Sequence, residues 1–85
     1  MRLSKETVYD LENFYDRIAD EDEELVDKQF TKLQPLHQDL VKKNNYKKDE
    51  IDDKLVSLFV QTASSRGIEE KWAKGYLFYE YFDNE

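Results

Sequence analysis

His37 is the single histidine of this chain, and the chain has no cysteine. Nucleophilic catalysis needs a nucleophile, a base beside it and a third group that orients the base. His37 lies between Leu36 and Gln38 on what reads as a short helix, which predicts a surface or half-buried residue without a catalytic role. The lack of cysteine also excludes disulfides and thiolate metal sites.

Carboxylates are abundant, at 20 Asp and Glu. General acid–base chemistry needs two acids in different environments, one with a raised pKa. The acids here fall in solvated clusters, so no enzyme is expected. Asp20-Glu21-Asp22-Glu23-Glu24 and Asp49-Glu50-Ile51-Asp52-Asp53 invite a check for calcium. An EF-hand loop carries a glycine at its sixth position and a glutamate at its twelfth. Neither cluster has the glycine, and no glycine-rich phosphate loop occurs, so neither a metal nor a cofactor is expected.

The net charge of −7 is unevenly spread. Residues 1–27 hold ten acids and three bases, residues 28–48 six lysines and one acid, and residues 49–85 nine acids and four bases. The lysines (Lys28, Lys32, Lys42, Lys43, Lys47 and Lys48, with Tyr46 interleaved) are a weak nucleic-acid footprint in a chain of pI about 4.7. They read as a solubilising face, and no direct nucleic-acid binding is expected. The opposite sign is more informative. Glu6, Asp10, Asp16, Asp20, Glu23, Glu24 and Asp27 recur along the first two expected helices. Such a row can imitate phosphates, or attract a basic protein by charge complementarity alone. An ordinary solvated face is the competing reading.

Aromatic residues supply the other candidate contacts. Six of the twelve lie in the last fourteen positions: Trp72, Tyr76, Phe78, Tyr79, Tyr81 and Phe82. That segment has more apolar surface than one inward face can use, so part of it is available to a partner. Ile68, Trp72, Tyr76 and Tyr79 have helical spacing and are the expected core face. Leu77, Phe78 and Tyr81 are the excess, and replacing Phe78 and Tyr81 by Ser is expected to leave the fold intact. Tyr9, set among acids away from the core stripe of its helix, is a further exposed candidate.

The elements that must position these groups read as helices. Val8, Leu11, Tyr15 and Ile18 place one apolar stripe on a helix over 4–19. Asp20 or Asp22 can cap a second, with Val26, Phe30 and Leu33 inward. Pro35 is expected to stop or kink it, leaving a short third helix to about Lys43. Lys42-Lys43-Asn44-Asn45 reads as a helix end. Asp49 is expected to open the longest helix, to about Arg66, with Ile51, Leu55, Leu58, Phe59 and Thr62 on one face. Gly67 stops it, and Ile68 folds back on its end. The tail over 68–83 is expected to be helical, because its strand-prone run has no second strand to pair with.

Eighty-five residues with 2 Gly and 1 Pro make one domain, an all-α compact bundle of four to five short helices. No apolar run follows the basic residues near Met1, and no window suits a membrane span, so the cytoplasm is the expected compartment. In size, acidity and helix count the chain is similar to small immunity proteins that inactivate nuclease toxins. It lacks that family's adjacent Tyr-Tyr-Pro segment, and no residue roles are carried over.

The functional expectation is a small acidic protein-binding protein: a stoichiometric antagonist such as an immunity protein, antitoxin or phage-encoded inhibitor, with nucleic-acid mimicry as one variant. Its expected contacts are Tyr9, Asp16, Asp20, Glu21, Asp22, Glu23, Glu24, Phe78 and Tyr81. The alternative is a self-associating structural or regulatory domain, a homodimer through the aromatic tail.

Overall fold

Ser4 starts the first helix. Its hydroxyl accepts from the Thr7 backbone N–H at 3.2 Å, satisfying one of the free donors at a helix N-terminus. Helix α1 (Lys5–Ile18) then carries Glu6 in its first turn and Arg17 in its last, each matching the helix dipole. Leu11 and Ile18 are buried and Tyr15 half-buried, along the stripe read from the sequence. In this computed structural model, which describes residues 2–83, four α-helices and one π-helical turn form an all-α bundle.

Asp22 caps α2 (Glu23–Lys43), accepting from the Glu24 N–H at 2.8 Å. The break expected at Pro35 does not occur: α2 is one helix of 21 residues with Pro35 inside it. A mid-helix proline removes one hydrogen bond and costs about 3 kcal/mol. The helix survives because Leu33, Leu36, His37 and Leu40, on both sides of Pro35, are buried as one stripe. Pro35 is exposed, and so is Thr31, whose carbonyl loses its donor and can turn to water. No separate helix begins at Pro35. The end of α2 is as expected, with Asn45 in the left-handed region at φ 61.

Helix α3 (Asp53–Ser65) starts four residues later than the sequence predicts. Asp52, not Asp49, is the cap: its Oδ1 accepts from the Leu55 N–H and from the Tyr46 hydroxyl, both at 2.8 Å. Ile51 is fully buried in the extended stretch before it, and its carbonyl accepts from Arg2 N–H at 2.9 Å. The chain's start is thus tied to α3, a contact that a helix running from Asp49 would exclude. Ser4 N–H adds a bond to Asp53 Oδ1 at 3.1 Å. Gly67, at φ 80, ends α3, and Ile68 N–H returns to the Ala63 carbonyl.

The tail is helical, as α4 (Glu70–Phe78) followed by the π-helical turn Tyr79–Asp83. Helix α4 packs chiefly on α1 and also meets α2 and α3. Gly75 makes the closest approach possible, since a Cβ there would press into the Ile18 side chain. Lys74 fastens the same pair of helices: its ammonium bonds the Asp10 carboxylate and lies 3.2 Å from Glu70, above the Phe14 ring. Burial alone would lower the Lys74 pKa, but the two carboxylates outweigh it and the net shift is upward. Trp72 and Tyr76 are buried as expected. Leu77, expected as excess, is fully buried, while Tyr79, expected in the core, is only half-buried. Because α4 sits between α1 and the α2–α3 pair, Leu77, off the expected stripe, also points into protein.

Candidate functional site

Two aromatic clusters meet at Tyr76. The first is sealed around His37, which is 6% exposed and therefore core, not the surface or half-buried residue the sequence suggests. Its ring stands edge-on to Phe59, Tyr76 and Tyr81, with centroids 5.4 to 5.9 Å away. Burial lowers the His37 pKa, and the nearby charge of Glu80 only partly opposes this. The imidazole is neutral at pH 7, and its Nε2 is hydrogen-bonded to the Tyr81 hydroxyl across 2.7 Å. The Glu50 carbonyl lies 3.4 Å from the same hydroxyl. Burial, then the charges of Glu80 and Asp49, push the Tyr81 pKa up to about 12. This cluster is closed around His37, Phe59 and Tyr76, with half-buried Tyr81 at its outer edge.

The second cluster is open. Residues Glu23, Val26, Asp27, Phe30 and Gln34 recur at helical spacing along one side of α2 and form the wall of a groove. The end of α1, through Tyr15, Ile18 and Ala19, forms the opposite wall at one end, and Tyr76, Tyr79 and Glu80 of the tail continue it at the other. Two recesses, about 360 and 420 Å³ in volume, share Asp27, Phe30 and Tyr79. The Phe30 ring lies 5.3 Å from those of Tyr76 and Tyr79. Four carboxylates, Glu21, Glu23, Asp27 and Glu80, line the groove, and no lysine or arginine does. Glu21 reaches Lys71 at 3.5 Å; among the described residues Glu23, Asp27 and Glu80 have no ion-pair partner. Tyr15 is held at the rim by its hydrogen bond to Asp83, which together with burial pushes its pKa up to about 12.

The residues expected from sequence divide among several places. Glu21 and Glu23 line the groove. Asp22 and Glu24 lie on another side of the α2 start, beside Leu25 and Lys28 in a shallow depression. Asp20 is exposed in the turn between α1 and α2. Tyr9, 67% exposed, and Asp16 are seven residues apart on the outer face of α1, away from its buried stripe. Phe78 stacks on Phe82 at 5.0 Å and packs against Tyr15 at 5.1 Å, so it backs the groove wall. Tyr81 belongs to the sealed cluster. Sequence reasoning did not single out Asp27, Phe30, Tyr79 and Glu80 as one site. The available signal was the run Glu23, Asp27, Phe30, which puts two acids and a ring on one strip of a helix.

No family model matches the chain, and neither a curated protein nor a solved structure is detectably similar to it. Among the described residues, no helix is long and apolar enough to cross a membrane.

Proposed function

We propose that this chain is a stoichiometric protein-binding antagonist, of the immunity-protein, antitoxin or phage-inhibitor kind, that engages a basic partner through its acidic side. The observation that supports the reading best is the groove between α1, α2 and the tail, lined by aromatic rings and by carboxylates of which Glu23, Asp27 and Glu80 have no ion-pair partner among the described residues. Aromatic anchors supply much of the energy in tight interfaces, and surrounding acids raise the association rate with a basic protein. Phosphate mimicry draws less support, because Asp10 is committed to Lys74 and Glu21 faces Lys71.

The homodimer reading also draws less support. Trp72, Tyr76 and Leu77 are already covered within one protomer, which leaves less of the tail for a two-fold interface. A buried indole at Trp72 is therefore no sign of dimerisation. The test is to reconstitute the purified chain with the protein it captures from lysate, and to follow the mixture by sedimentation velocity. The expected result is a 1:1 complex that weakens as salt rises and is lost in Glu23→Lys/Asp27→Lys. A chain that forms only a homodimer, or a complex indifferent to both salt and charge reversal, overturns the reading.

A further inference from the structure

We propose, building on the protein-binding reading, that the groove receives an arginine side chain of the basic partner, its guanidinium lying over the Phe30 and Tyr79 rings and shared by Glu23 and Asp27. Glu23 and Asp27 are one helical turn apart, roughly 5–6 Å at Cβ, a separation that a forked guanidinium can span. Phe30 and Tyr79 are both half-buried, and their rings meet at 42°, so neither is stacked flat against the other.

The chain already uses this chemistry on itself. Lys74 sits 5.1 Å from the centre of the Phe14 ring and is held by two carboxylates, Asp10 and Glu70. Arg17 covers the same ring at 5.0 Å. The groove repeats that composition, rings and two acids, but its lining contains no cation of the chain's own. A cation over a ring in a partly desolvated site is held by the ring's negative face. Carboxylates without counter-charges repel one another, so a bound cation also relieves an internal cost. Arginine fits better than lysine because a planar, weakly hydrated guanidinium can stack and form paired hydrogen bonds together. A recess of about 360 Å³ falls at the lower end of the volumes that hold small ligands, roughly 300–1,000 Å³.

The experiment titrates an acetylated, amidated triarginine peptide into the isotopically labelled chain and maps backbone amide shifts. The expected pattern concentrates on residues 21–31 and 79–80. Glu23→Gln/Asp27→Asn is expected to weaken binding about fivefold or more, whereas Glu12→Gln/Asp49→Asn, removing two charges elsewhere, changes it less than about twofold. Trilysine is expected to bind more weakly than triarginine. Shifts spread over the whole acidic surface, equal losses in both double variants, or trilysine binding as tightly as triarginine each overturn the proposal. The two readings fail separately. A captured partner that binds wild type and Glu23→Gln/Asp27→Asn equally removes the groove and leaves the antagonist. A groove that takes triarginine in a chain that forms no 1:1 protein complex does the reverse.

Discussion

The two aromatic clusters have similar side chains and opposite fates. Around His37, the rings of Phe59, Tyr76 and Tyr81 close over one polar group and satisfy it. Around Phe30, the rings of Tyr15 and Tyr79 stay half-exposed and share their recess with carboxylates. An aromatic excess in a short chain is therefore not by itself a contact surface. What separates core from groove is whether polar neighbours are paired inside the fold or left facing water.

Phe59→Ala has the largest expected effect on that contrast. It empties a fully buried site and is expected to cost about 3–5 kcal/mol, against about 1 kcal/mol for Tyr79→Ala at the groove, read from urea midpoints. Equal costs would erase the distinction between the clusters. The Phe78→Ser/Tyr81→Ser chain comes next. Sequence alone predicts that it keeps its fold. The packing predicts a loss of about 2–4 kcal/mol, because Phe78 supports Tyr15 and loss of the Tyr81 hydroxyl strands the His37 nitrogen.

The smallest effect is on pH dependence and concerns only the sealed cluster. The unfolded chain protonates His37 near pH 6.5, and the folded chain only at lower pH. The unfolded state binds the extra proton in that window, so this contribution is complete above pH 6.5 and is lost as the pH falls through the folded pKa. Denaturation midpoints measured across that range should decline for wild type and flatten for His37→Gln.

Much of this arrangement was legible in the sequence, for local reasons. The α1 stripe, the Asp22 cap, the turn at Asn45 and the Gly67 stop all depend on residues a few positions apart. The misreadings depend on distant ones. Pro35 stays inside α2 because buried leucines on both sides outweigh the missing hydrogen bond. Helix α3 begins at Asp53 because Arg2, forty-nine residues away, takes the Ile51 carbonyl. Leu77 is core because α4 has neighbours on more than one side. Individual groove acids could be marked from spacing, but the aromatic floor beneath them depends on how α2 meets the tail.

The pairing of α1 with α4 also bears on the order of folding. The most extensive helix contact joins the first and last α-helices, so the apolar stripe of α1 has no main partner until α4 has emerged from the ribosome. Contacts so distant in sequence slow folding, because the intervening chain must close before they form. Until then Leu11 and Ile18 stay uncovered, and the growing chain is open to chaperones and proteases. A frameshift or truncation that removes α4 should therefore deplete the protein by degradation instead of leaving a stable fragment.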